Sequence, residues 1–338
     1  MRLPAEPRRP RGPLRIALVG IGSAANRAHL PALRDAEAEG IVELVGVCDP
    51  DRARCDAVLA GHPRAAGFAE NDEMLDATTP DVLVIATPPS AHLDEMTAAA
   101  ARDVHVLCEK PLGLSDDDVS SLRALAAAHP HLALATVHQY RFATPWRWIA
   151  RATAGALRSG EPFELRIEVE RPGTDPLATG GWRADPEHEG GILGDHAVHY
   201  LALAELLDPG CEVVACHREG PGGREVATLE VRLGDAGVLG VAASYAGTRR
   251  RNLVRLTRPA HCLEVAWCDA SVAVIHNGRP AVPRPAPSLS DRDVVNALYS
   301  PMFEELIEGV HQQPWRVQAT AHTIGAAALL AAAIRLAR

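Results

Sequence analysis

Asp195 and His199 stand four residues apart in Gly190-Gly-Ile-Leu-Gly-Asp-His-Ala-Val-His199, where an apolar run of helical character begins. On an α-helix this spacing sets both side chains on one face. A carboxylate beside an imidazole orients the ring, fixes its tautomer and holds its pKa near neutrality, as a general acid/base acting on an alcohol or ketone requires. The same pair also occurs on solvated helices with no such role. Its meaning therefore rests on the elements upstream.

Those elements begin with Leu14-Arg-Ile-Ala-Leu-Val19, an apolar run that reads as a buried parallel strand and leads into Gly20-Ile-Gly22-Ser23-Ala24-Ala25. Gly-x-Gly-x-x-Ala between a strand and a helix is a dinucleotide fingerprint. Gly20 permits the tight turn, Gly22 lets the backbone approach a pyrophosphate, and Ala25 is small enough for the helix to pack on its strand. The helix N-terminus would meet the phosphates with its free amides, Ser23 and Ala24 included. A second strand, Val42–Cys48, ends at Asp49, where an acidic residue accepts from ribose hydroxyls. A carboxylate there repels a 2′-phosphate, so NAD is expected over NADP. Arg52 and Arg54 lie near enough in sequence to soften that preference, or form a solvated helix start.

The alternation continues. Asp81–Ala86 reads as a third buried strand, ending in Thr87-Pro88-Pro89-Ser90-Ala91-His92, and Val104–Cys108 as a fourth, ending in Glu109-Lys110-Pro111. Ligands of open parallel sheets bind beyond the carboxyl ends of the strands, which directs attention to Thr87, Pro88, His92, Glu109 and Lys110. His92 either contacts cofactor or closes its own loop. Glu109 and Lys110 either serve the site or form a surface ion pair.

These pieces resemble the glucose-fructose oxidoreductase and inositol dehydrogenase (Gfo/Idh/MocA) family. The resemblance is carried by Gly20-x-Gly22-x-x-Ala25, Asp49, Ala86–His92, Glu109-Lys110-Pro111, Trp182-Arg183 and Gly190-Gly191-x-Leu193-x-Asp195-x-x-x-His199, and it covers about residues 14 to 200. It implies that Lys110, Asp195 and His199 are a catalytic lysine, aspartate and histidine. It also implies hydride transfer between nicotinamide and a secondary alcohol or ketone of a sugar, nucleotide-linked ketosugar or cyclitol. The chain departs from the family at Ala197, where glycine is usual, and at Ala202, where a second aspartate is frequent. His196 occupies a position where an aliphatic residue is common, and either reaches into a substrate pocket or faces the sheet.

Length and composition fit two domains. The chain has 338 residues, 47% hydrophobic and 23% charged, which allows a sizeable core. A formal net charge of -9 gives no basic footprint for nucleic acid or acidic membranes. No apolar run is expected to cross a membrane. Seven scattered cysteines without a Cys-x-x-Cys pair suggest reduced thiols and a cytoplasmic setting. Asp195, His196 and His199 could supply metal ligands from one face but lack an evident further ligand, so no metal is expected.

The expected fold class is an α/β Rossmann domain, a doubly wound parallel sheet, followed by an α+β domain with a large, mainly antiparallel sheet. The expected divisions are a disordered tail over 1–13, a dinucleotide-binding domain over 14–137, a substrate domain over 138–318, and a helix over 319–338 packing back on the first domain. Period-two alternation begins at Phe163, and Val226–Leu233 and Val238–Ser244 flank a turn at Gly234-Asp-Ala-Gly237. An open sheet face suggests a homodimer or homotetramer. Trp182 and Arg183, in a Gly/Pro-rich loop, either bind a polyhydroxylated substrate or plug the fold. Tyr140 and Arg141, just after the strand over 132–137, are further candidates for substrate binding.

The expected chemistry gives His199 the hydroxyl proton, Lys110 the developing alkoxide, and Asp195 the task of orienting His199 or a substrate hydroxyl. Two rivals stand beside it. One is a net non-redox sugar reaction using tightly bound NAD transiently; the other is a dinucleotide-binding regulator without catalysis.

Overall fold

The computed structural model describes residues 12–174, 190–220, 224–268, 271–281 and 295–337. Two compact units divide the chain. The first comprises residues 1–109, 125–137 and 299–321, the second 110–124, 138–298 and 322–338.

The first unit is built on six parallel strands: β1 (Leu14–Val19), β2 (Val42–Cys48), β3 (Ala66–Phe68), β4 (Val82–Ile85), β5 (His105–Cys108) and β6 (Leu134–Thr136). Their order, β3-β2-β1-β4-β5-β6, is that of the Rossmann fold. β4 is a continuous apolar run, and β1 and β2 are apolar apart from Arg15 and Glu43, because both faces of a parallel sheet are covered; Ile16, Leu18, Leu44, Val47 and all of β4 are buried. Asp51 caps the helix Arg52–Leu59 by accepting from the Ala53 amide. The helix after Pro88 starts at Pro89 and runs to Ala100, because proline is well suited to a first helical turn.

The second unit carries eight strands: β7 (Phe163–Pro172), β8 (Glu212–Glu219), β9 (Val226–Leu233), β10 (Gly237–Gly247), β11 (Arg251–Arg258), β12 (His261–Cys268), β13 (Ser271–His276) and β14 (Arg279–Ala281). Their order is β14-β13-β12-β11-β7-β10-β9-β8. It is not a simple meander: β7 runs between β10 and β11 and is parallel to β10. The period-two reading of β7 holds, with Phe163, Leu165, Ile167 and Val169 buried and the intervening residues more exposed. Those buried residues join Trp146 and Ile149 of the helix Thr144–Ser159, and Val198, Tyr200 and Leu201 of the helix Val198–Leu207, in one core. Burying side chains of this size stabilises by about 1.5–3 kcal/mol each before entropy is counted.

Two expectations are revised at the C-terminus. The helix Gln313–Leu336 is 24 residues long with a mean hydropathy of 1.5 over its most apolar window, so one run does have the length and composition of a membrane span. Leu329, Leu330, Ala333 and Ile334 lie in the core of the second unit, which accounts for the apolar composition without a bilayer. Residues 322–338 group with the second unit and residues 299–321 with the first, so the division at 318 and the return of 319–338 to the first domain are not what the contacts give.

Candidate functional site

In the first unit the glycine loop is fixed by close contacts. Gly20 has φ +85°, and a Cβ there would lie 2.6 Å from the Thr87 amide nitrogen, so both conformation and space demand glycine. A Cβ on Gly22 would meet nothing among the described residues, which leaves this backbone open to a phosphate. Asn26 donates from its side-chain amide to the carbonyls of Ile21 and Gly22, holding the loop against the helix that follows. Ala25 is fully buried and Ser23 exposed. The loop, its open glycine and the helix start at Ser23 and Ala24 fit a dinucleotide pyrophosphate.

Asp49 is tied to that loop. Its Oδ2 accepts from the Ile21 amide at 2.9 Å and its Oδ1 from the Asp51 amide at 2.9 Å. Oδ1 keeps a further lone pair that could accept from a ribose hydroxyl. Arg54 Nη1 lies 3.4 Å from Asp49 Oδ2, and its Nε 3.4 Å from Asp51 Oδ2, whereas Arg52 is almost fully exposed. Of the two arginines, Arg54 is the one beside Asp49.

Thr87, following β4, donates its hydroxyl to Glu95 Oε2 at 2.5 Å, and burial pushes the Glu95 carboxyl up to about 7. Pro88 is the N-cap residue of the next helix. His92 is buried and its Nε2 donates to the Thr87 carbonyl at 3.0 Å, so it closes the loop. Glu109 does not pair with Lys110. It accepts from His29 Nε2 at 2.8 Å, and the His29 ring packs edge-on against Tyr299 and Phe303.

The second unit gathers Lys110, Tyr140, Arg141, Asp195, His196 and His199. Lys110 follows Glu109 directly, and its peptide with Pro111 is cis. Its Nζ donates to Asp195 Oδ1 at 2.8 Å and to the Asp195 carbonyl at 2.7 Å, with both side chains under a tenth exposed. Tyr245 of β10 donates to the other carboxylate oxygen, Oδ2, at 2.9 Å. His196 Nε2 is 3.4 Å from that oxygen, and its ring meets Tyr245 edge-on, so this histidine faces the sheet side.

Asp195 and His199 are not the carboxylate–imidazole pair that their spacing predicts. Residues Leu193–Ala197 form a π-turn, whose wider winding removes the α-helical stacking of positions four apart. Among the described hydrogen bonds none joins the two; the carboxylate is committed to Lys110 and Tyr245. Nor is His199 held near neutrality. Burial first, then the Lys110 charge, drives its pKa well below the usual histidine value, while Asp195 opposes this only weakly. His199 is therefore a neutral imidazole. The Tyr140 ring lies on it at 4.3 Å between centroids, and its Nδ1 is buried with no partner among the described residues. Arg141 stacks on Phe142. Trp182 and Arg183 lie outside the described residues.

Two further residues of the site escaped sequence reasoning. Tyr245 is one. Glu225 is the other: it is buried, accepts from the Ile192 amide at 2.9 Å and pairs with Arg218, anchoring the start of the segment that carries Asp195 and His199. Gly191, at φ +54°, is required there because a Cβ would lie 2.5 Å from the Glu225 carboxylate. The glycine pair before Leu193 was a legible signal of that close approach, but its partner was not.

With the glycine loop, Asp49 and the Lys110–Asp195 pair in view, residues 14–136 match GFO_IDH_MocA, an oxidoreductase family with an NAD-binding Rossmann fold. Residues 14–136 are thus similar to the NAD-binding Rossmann domain of that oxidoreductase family. The chain is 38% identical over 225 residues to an inositol 2-dehydrogenase of Arthrobacter, an alignment covering 66% of this chain and 58% of that protein. The matched region thus spans a little under three fifths of that relative. Among solved structures, a Thermotoga maritima oxidoreductase superposes with a TM-score of 0.77 at 20% identity, covering 96% of this chain and 97% of the other. The WlbA dehydrogenase of Chromobacterium violaceum, solved with NADH and UDP-GlcNAcA, gives 0.75 at 21% identity, covering 99% and 97%. At these identities the structural likeness establishes the fold.

Proposed function

We propose that this chain is a member of the GFO_IDH_MocA family and an NAD-dependent oxidoreductase that interconverts a secondary alcohol and a ketone on a sugar, nucleotide-linked ketosugar or cyclitol. The observation that carries the reading is the Lys110 ammonium held by both the carboxylate and the carbonyl of Asp195, in the same unit as a neutral, buried His199. NAD, when bound, supplies or accepts the hydride. Gly20, Gly22, Ser23, Ala24 and Ala25 would hold its pyrophosphate, and Asp49 its ribose hydroxyls.

The Lys110 ammonium would stand where an alkoxide develops, and a fixed cation there stabilises such an oxyanion. Asp195 and Tyr245 fix the direction in which that ammonium points. His199 offers Nε2 to the hydroxyl proton, and its low basicity favours giving that proton up again, to a forming alcohol or to another acceptor. Polyhydroxylated substrates are favoured by the inositol 2-dehydrogenase relative and by the nucleotide sugar in the WlbA complex. We extend the reading to a homodimer or homotetramer formed through the outer face of the large sheet.

The test is absorbance at the nicotinamide band with NAD or NADP against a panel of sugars, ketosugars, nucleotide sugars and inositols. Stoichiometric formation or loss of NADH with one class supports the reading. Product formed with no net change in NADH would instead assign a non-redox reaction, and binding of NAD with no product from any member of the panel would assign a regulator.

A further inference from the structure

The second unit contains a small cavity bordered by His199, with Arg141 also in its lining. Its lining includes His138, Tyr140, His199, Leu206 and His322, and it measures about 10 Å³ to the centre of a water-sized sphere, room for one water. Three imidazoles border so small a space. His138 is buried and neither of its ring nitrogens has a partner among the described residues; His199 Nδ1 is likewise buried and unmet. A neutral imidazole carries one N–H and one lone pair, and buried groups of this kind are normally satisfied by protein or by an ordered water. The cavity supplies a place for that water.

The third imidazole leads outward. His322 Nδ1 hydrogen-bonds Glu205 Oε2, which fixes the tautomer with the proton on Nδ1 and leaves Nε2 as an acceptor. Glu205 lies flat against the C-terminal helix because residue 325 is glycine: a Cβ there would fall 2.6 Å from Glu205 Cγ. The rings of His138 and His322 meet edge-on with centroids 5.3 Å apart. Leu206, beside Glu205, is 47% exposed and marks the solvent end of the cavity.

We propose that the cavity water, His138, His322 and Glu205 form a proton relay between His199 and solvent. The inference rests on His199 being the acid/base of the reaction. As a hydroxyl proton arrives on His199 Nε2, the Nδ1 proton passes to the cavity water. That water gives one of its own protons to His322 Nε2, and the Nδ1 proton of His322 moves to Glu205 and leaves to solvent. His138 positions the water. Each group ends with the protons it began with, nothing in the relay is oxidised or reduced, and ketone reduction runs the same steps backward. Burial holds both His138 and His199 well below the usual histidine pKa, so neither retains a proton for long and an onward path is needed.

The test uses the full-length protein and two readouts. In turnover, His322→Phe and Glu205→Gln are expected to lower kcat by about tenfold, a fraction of what a direct acid/base contributes. The KM for NAD should be unchanged, the solvent isotope effect should rise, and free imidazole should restore the rate of a His322→Ala variant. Glu205→Gln preserves size and hydrogen bonding if the phenylalanine variant does not fold. Independently of any substrate, NMR of histidine-labelled protein should find His322 protonated at Nδ1 and a long-lived water in contact with the His138 ring. Wild-type kcat and isotope effect in both variants would overturn the relay, as would an unhydrated His138 ring. If the unsubstituted protein oxidises no member of the panel, the redox reading fails by itself, and the NMR result still decides whether the water-linked histidines exist.

Discussion

Tyr245 Oη donates to Asp195 Oδ2 at 2.9 Å, so the carboxylate that receives Lys110 on one oxygen is pinned to the sheet by the other. The lysine is aimed from strand β10 through the aspartate. Lys110→Ala and His199→Ala are each expected to lose about 100-fold or more in turnover while still binding NAD, the scale for removing a charge-stabilising or acid/base group. Tyr245→Phe should lose about tenfold, corresponding to one hydrogen bond to a charged group. Steady-state kinetics beside NADH titration separates these outcomes; near-normal turnover in Lys110→Ala would end the proposed role.

The position of Arg54 gives the cofactor preference two opposed controls. Asp49→Ala removes the carboxylate that repels a 2′-phosphate and leaves Arg54 in place, so the gap between NADH and NADPH should narrow. Arg54→Ala leaves Asp49 without its cationic neighbour, and the gap should widen. Fluorescence titration of both cofactors measures each change. Tighter binding of NADPH than NADH by the unsubstituted protein contradicts the ribose assignment.

Acid should destabilise the fold through its neutral histidines. His105 Nδ1 accepts from the Ala133 amide at 3.1 Å, and burial, with Arg316 adding to it, lowers its pKa to about 4. The unfolded chain takes up a proton near pH 6.5 that the folded one refuses, so stability falls as pH drops through 6.5 and goes on falling to about 4. A tenfold difference in proton affinity between the two states corresponds to about 1.4 kcal/mol. His138 and His199 act in the same direction. Urea midpoints at about pH 7 and about pH 4.5, on either side of most of that fall, should differ less in His105→Gln, whose amide oxygen can still accept from Ala133. An unchanged difference would remove His105 from the account.

The features legible in the sequence are the local ones. β1, the glycine loop and Asp49 follow from a short apolar run, two glycines and one acidic residue, each read within a few positions. β7 follows from strict alternation. What was hidden is non-local or irregular. The parallel pairing of β7 with β10 joins distant segments, Phe163 opposite Gly237, and nothing in either strand names its neighbour. Tyr245 reaches Asp195 from far along the chain. The spacing of Asp195 and His199 misled because it assumes about 3.6 residues per turn, and the π-turn over Leu193–Ala197 breaks that assumption.

Assembly is the remaining expectation to be argued. The outer face of the large sheet is not an apolar plate: Glu168 and Glu170 of β7 pair with Arg251, and Arg255 pairs with Glu264. Between these charges and β9, strand β10 presents Gly240, Ala242 and Ser244, residues small enough to let a second sheet approach closely. A contact through that strip, with charges at its rim, is the expected interface. Ala242→Arg should dissociate it, since a charge forced into a close contact without a partner costs several kcal/mol. Light scattering provides the measurement: the unsubstituted protein should exceed the 36.0 kDa of one chain, and the variant should approach it. A stable monomer at micromolar concentration before any substitution would refute the interface and leave the roles of Lys110, Asp195 and His199 standing.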